Sequence, residues 1–314
     1  MKLTKIASMV MTSATVLSTV AAATPAIIQA KTQEGNAKMN GGKALPDTNH
    51  SKVGITFGKD SPNPNPDNPN KPDNPNKPDN PNKPDDGKGY LRLQHVPEVL
   101  DFGSYTAFNS AHPVFTAAGT NLNDTDNDVH PGYAGADNQT PKLSTLIPYL
   151  STVNGKTWVT VVDKQLDRTT TDDKNDMMCG GWQLSVKADG PLTTGSDANA
   201  KTIAGAVLSF NNMVHAGTTN IFGLTGNEAD RDHITNGDGA HPSTGDSATN
   251  QYTVNLDSSS PTVQIANTIQ SSYIGADVFA WDPSNIKLTL PTNASVDAGT
   301  YTTSLTWTLS TGIK

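Results

Sequence analysis

The run Thr300-Tyr301-Thr302-Thr303-Ser304-Leu305-Thr306-Trp307-Thr308-Leu309-Ser310 alternates almost without a break. In an extended chain successive side chains point to opposite faces. Tyr301, Thr303, Leu305, Trp307 and Leu309 therefore share one side, and Thr300, Thr302, Ser304, Thr306 and Thr308 the other. A period of two with one apolar side predicts a strand half buried in a sheet. Trp182, Leu184 and Val186 alternate in the same way with Gln183, Ser185 and Lys187, which predicts a second such strand.

From Tyr90 onward the chain continues in short segments broken by Gly, Pro, Asn and Asp, the pattern of an antiparallel all-β domain. Strands are expected over 90–94, 158–162, 181–188, 203–210, 252–256, 263–269, 286–290 and 300–310. Glutamate occurs only at Glu34, Glu98 and Glu228, while Thr, Asn, Ser, Asp and Gly abound. Such a composition favours strands and turns over helices. Residues 90–314 fit one antiparallel β-sandwich with long loop insertions, since all-β domains of that size are common; a division into two smaller domains stays open.

The N-terminus reads differently. Lys2 and Lys5 precede an uncharged run from Ile6 to Ala23, the layout of a secretory leader. Cleavage is expected after Ala30, with Ala23 and Ala26 as alternatives. An uncleaved anchor needs about 20 strongly apolar residues, and Ser8, Thr12, Ser13, Thr15, Ser18 and Thr19 dilute this run. Residues 1–30 are expected to be a signal peptide and the mature chain to be secreted. Residues 31–60 are polar and unpatterned, which predicts a disordered segment. Within 61–89 the hexapeptide Asp67-Asn68-Pro69-Asn70-Lys71-Pro72 recurs at 73–78 and 79–84. Proline at every third position favours polyproline II, so a semi-rigid spacer of roughly 70 Å is expected ahead of the β domain.

The chain carries 22 basic and 30 acidic residues, a formal charge of −8 that removal of Lys2 and Lys5 makes more negative. This argues against nucleic acid and against polyanionic wall polymers as partners. A single cysteine, Cys179, permits no intramolecular disulfide and favours a bacterial exterior over a small eukaryotic secreted fold. Cys179 reads either as a buried small residue or as a free thiol open to intermolecular pairing.

Trp182-Gln183-Leu184 and Trp307-Thr308-Leu309 are two Trp-x-Leu motifs, the second close to the end of the sequence. Val161-Val162-Asp163 lies upstream of the first, and Val96-Pro97 with Asp101-Phe102-Gly103 opens the region. On these residues, 90–314 resembles the WxL domain of surface proteins from low-GC Gram-positive bacteria. The resemblance implies non-covalent attachment to the cell wall through peptidoglycan and no catalysis. It also implies assembly with other WxL-type surface proteins or a membrane-anchored partner protein, and it marks Trp182, Leu184, Trp307 and Leu309 as binding residues. The residues themselves leave two readings open. Their rings are platforms for wall sugars, or they pack the core, since each motif shares its face with other large apolar side chains. Trp281, just before Asp282-Pro283 at an expected turn, is the candidate for an exposed ring. Cys179 beside the first motif and the insertion from Leu122 to Leu150 depart from the family pattern.

Other chemistry is thin. Asp124, Asp126 and Asp128 alternate like calcium ligands, but Val129 and Gly135 stand where a twelve-residue calcium loop needs Gly and Glu. The acidic loop from Asn227 to Asp246 matches no zinc spacing. No nucleophile elbow is present and Cys179 has no catalytic setting, so neither a cofactor nor a catalytic residue is expected. Leu45-Pro46-Asp47-Thr48 lacks the glycine and apolar tail of a covalent sorting signal. The alternative function is an adhesin whose loops at 122–150 and 227–246 bind host surface proteins or another partner; a wall-active glycan hydrolase, needing a carboxylate pair, is the remote one.

Overall fold

A computed structural model describes residues 37, 40–58, 88–123, 140–167, 180–195, 200–233, 246–270 and 274–313. The leader, the hexapeptide repeat, the Asp124–Asp128 run, Cys179 and residues 234–245 of the second acidic loop lie outside them.

The described residues are mostly β and form three sheets. At the centre of the eight-stranded sheet, β17 (Gly299–Ile313) lies between β7 (Gly180–Ala188) and β1 (Asp47–Phe57). Beyond β7 come β14 (Val263–Gln270) and β12 (Asp246–Ala248), and beyond β1 comes β3 (Val99–Tyr105). Short β8 (Leu192–Thr194) pairs with both β17 and β9 (Thr202–Ile203). The five-stranded sheet runs β13 (Tyr252–Asn255), β10 (Val207–Phe210), β16 (Ile286–Thr289), β4 (Val114–Thr116), β5 (Thr120–Asn121). The four-stranded sheet runs β11 (Val214–Thr218), β15 (Gly275–Trp281), β6 (Thr157–Asp163), β2 (Leu91–His95). Among the described residues every pairing is antiparallel except that of β1 with β3.

One apolar core draws on all three sheets. Trp182, Leu184, Leu305, Trp307 and Leu309 come from the large sheet, Leu208, Phe210 and Leu288 from the five-stranded sheet, and Val159, Val161, Phe279 and Trp281 from the four-stranded one. The four-stranded sheet also buries its other face. Trp158, Val162, Val278 and Ala280 pack there against Leu143, Leu150 and the short helix Ile221–Thr225. Every residue of β6 and β15 is accordingly buried, a middle layer between two covers.

Residues 47–57 overturn the expectation of a disordered 31–60. They form β1, paired along its whole length with β17, from Asp47 opposite Leu309 to Phe57 opposite Gly299. Only Val53, Ile55 and Phe57 supply an apolar alternation; Asn49, His50 and Lys52 give the first half its polar look. The β domain therefore begins ahead of the hexapeptide repeat, which falls between two strands of one body instead of between a tail and a domain. The strand expected over 203–210 is also divided, because Gly205 turns the chain at φ +77°.

Candidate functional site

The two Trp-x-Leu motifs come together in space. β7 and β17 are antiparallel neighbours, with Leu184 directly opposite Leu309 and Val186 opposite Trp307. In each motif the middle residue faces out and the Trp and Leu face in. All four motif side chains are fully buried. Trp182 stands edge-on to Phe279 at 6.2 Å. The Trp307 ring meets Phe210 at 6.2 Å, and its indole N–H donates to Ser51 Oγ of β1 at 2.8 Å. Gly181 makes room for the first motif: a Cβ there would lie 2.1 Å from the Thr268 carbonyl oxygen of β14.

Trp281 corrects the sequence expectation. The turn after it exists, a 3₁₀ turn at Pro283–Asn285 capped by the Asp282 carboxylate, which accepts from Ser284 N at 3.0 Å. Those bonds hold the Asp282 carboxyl below its usual pKa. The ring, however, points inward, 5.4 Å from Phe210 and 6.4 Å from Trp307. As the last residue of β15, Trp281 takes its direction from the strand, not from the turn. With Trp158 also buried, none of the four tryptophans offers a face to solvent.

What the central sheet does offer is its outer face. Thr306 and Ser304 of β17 stand beside His50 and Lys52 of β1, and Thr306, Thr308 and Ser310 beside Lys187, Ser185 and Gln183 of β7. Over this face lies an open groove of about 890 Å³, floored by Thr302, Thr303, Ser304 and Lys52. One wall is Glu98 and Val99 at the start of β3, held by a 2.8 Å bond from Lys52 N to the Glu98 carbonyl. The other is the turn Asp189-Gly190-Pro191 between β7 and β8, where Asp189 N donates to Ser304 O at 2.9 Å and Thr303 Oγ1 to Gly190 O at 2.7 Å.

Thr306 organises the end of the groove. Its hydroxyl donates to Asp189 Oδ1 at 2.5 Å, which leaves its oxygen to accept from His50 Nδ1 at 3.2 Å. The groove thus presents hydroxyls, an imidazole and charges of both signs, a hydrogen-bonding surface without an aromatic platform. The sequence did not single out these residues: His50 and Thr306 lie 256 positions apart.

A second polar cluster is enclosed and structural. Arg92 of β2 donates to Asp230 Oδ2 at 2.6 Å and to Gln94 Oε1 at 2.5 Å, while Lys164 reaches Asp230 Oδ1 at 2.7 Å and Thr225 donates to Oδ2 at 2.7 Å. Burial works against charge on Asp230, but Arg92, Lys164 and Thr225 overcome it and hold the carboxyl below its usual pKa. The cluster fastens the start of the second acidic loop to the four-stranded sheet. No group of three or more metal-ligating side chains occurs among the described residues.

Paired Trp strands closing the core beneath a hydrogen-bonding outer face define an all-β sandwich. The family model described as WxL domain surface cell wall-binding matches residues 44–142 and 151–312, and the chain belongs to that family. The match takes in β1, as the fold requires. No curated protein and no solved structure matches the chain. The protein is thus a surface protein that binds the cell wall.

Proposed function

We propose that the domain holds the wall non-covalently by binding peptidoglycan in the groove over β1 and β17, and that the secreted protein serves as a structural and interaction component of a surface complex. The observation that carries this reading is the sorting of side chains on the central sheet: the tryptophans lie inside, and Lys52, Glu98, Asp189 and the β17 hydroxyls line one open groove. Peptidoglycan carries N-acetyl sugars and peptide stems with carboxylates and amines. Hydroxyls suit the former and paired charges the latter, through charge-assisted hydrogen bonds. Peptidoglycan stripped of teichoic acids should sediment the full chain and lose hold of a Ser304→Ala, Thr302→Ala double variant whose circular dichroism is unchanged. Absence of wild-type binding overturns the peptidoglycan reading in favour of a partner protein. Undiminished binding by the folded variant moves the site elsewhere.

One observation favours the adhesin reading beside it. Leu146 is fully exposed and Tyr149 is 42% exposed in the segment before β6. Both lie in the long loop that the adhesin reading assigns to partner binding, and exposed apolar side chains are what a partner could cover. Replacing both with Ser should spare wall retention and weaken adhesion to protein-coated surfaces.

A further inference from the structure

Glu98 stands apart from its surroundings. From Leu91 to Tyr105, through β2, the connection after it and β3, every residue is buried except Glu98. Buried Pro97 and Val99 hold it from both sides, and its backbone carbonyl accepts from Lys52 N at 2.8 Å. A fixed backbone thus presents the side chain at the groove wall. Of the other glutamates, Glu34 lies outside the described residues and Glu228 is held by Arg231. No described residue bonds to the Glu98 carboxylate.

The opposite wall is differently occupied. Asp189 accepts the Thr306 hydroxyl at Oδ1, and its Oδ2 lies 3.8 Å from His50 Nδ1. Lys52 and Ser304 are register partners on the floor between the walls, so the Glu98 and Asp189 backbones stand three strand spacings apart, roughly 14 Å. Two carboxylates there face the one ammonium of Lys52. A glycan strand of N-acetyl sugars is neutral, and laid over Glu98 it would strip water from a carboxylate without supplying an opposite charge, which is costly. No aromatic ring lines the groove to offset that cost. A primary ammonium supplies both the charge and three donors.

We infer that Glu98 selects what the groove holds: it binds the free side-chain amine of a stem peptide that is not cross-linked, and the glycan strand stays outside the contact. The inference rests on the peptidoglycan reading above and narrows it. An extended tetrapeptide spans about 13 Å, close to the separation of the two walls. Cross-linking converts the amine to an amide, so retention should follow the uncross-linked fraction of the wall.

Purified peptidoglycan free of teichoic acids, before and after acetylation of its primary amines, provides the test. The full-length wild type should sediment with untreated wall and bind acetylated wall about tenfold more weakly, as expected for loss of one charge-assisted hydrogen bond. Glu98→Gln, with its fold checked by circular dichroism, should bind both walls at that weaker level, because the carboxylate that acetylation deprives of its partner is already gone. Stem peptides freed by an amidase should compete and the stripped glycan strands should not, which separates a stem amine from that of a deacetylated sugar. Wild-type binding unchanged by acetylation, or a Glu98→Gln variant as sensitive to acetylation as the wild type, overturns the inference and leaves the peptidoglycan reading standing. Competition by the glycan strands alone overturns the assignment to the stem. Absence of binding to either wall removes the peptidoglycan reading and this inference with it.

Discussion

The inner and outer faces of β17 come from the same fifteen residues and serve different ends. Inward, Tyr301, Leu305, Trp307 and Leu309 are buried without remainder; outward, Thr302, Ser304, Thr306 and Thr308 stay half exposed. The motif that names the family belongs to the first set. A motif read from sequence can therefore mark the residues that build a sheet from inside while its neighbours form the accessible face. In Trp-x-Leu, the unnamed middle residue is the one that reaches the surface.

Four changes break or sharpen this contrast. Trp307→Ala should cost about 3–5 kcal/mol by denaturant unfolding, as large-to-small changes in packed cores do, and abolish wall retention only in step with unfolding. Retention lost from a fully stable variant would make the ring a contact after all. A smaller loss of the same kind is expected from acid. Asp230 has a depressed pKa, so its contribution is present above the unfolded value of about 3.9 and disappears as pH falls through the folded one. Melting temperature should thus drop more steeply below about pH 4 in the wild type than in an Asp230→Asn variant, itself less stable at neutral pH because Arg92 and Lys164 lose their counter-charge. Ser51→Ala, which deprives the Trp307 N–H of its acceptor, should cost about 1–3 kcal/mol by denaturant unfolding. On the outer face, Ser304→Ala should change stability by no more than about 0.5 kcal/mol yet weaken wall retention; a larger change in stability would erase the contrast between the faces.

The legible strands were those with a clean alternation or a run of β-branched residues. β17 and β7 each show a clean alternation, and both were read with bounds close to those observed. β15 was missed because Gly-Ala-Asp-Val-Phe-Ala-Trp, buried on both faces, does not alternate and lacks the β-branched run by which the equally buried β6 was read at 158–162. β1 was missed for a different reason. Its polar residues line the groove, and its apolar ones occupy only the second half. The candidate site escaped a linear reading altogether, since Lys52, Glu98, Asp189 and Ser304 become neighbours only when three distant strands and a turn align. Trp281 was misjudged because the local turn was read correctly while the strand that aims the ring was not.

β17 pairs with β1 and β7 at the centre of the sheet, and it follows all the other described strands in the sequence. As the chain is synthesised, both neighbours wait with open backbone edges for a strand that does not yet exist. Closing contacts such as Ser51 with Trp307, 256 positions apart, demands a search that slows folding in proportion to its range. Assembly is therefore a finishing step, and a chain cut short within its last fifteen described residues should be an open sheet prone to pair with others of its kind, not a slightly smaller domain.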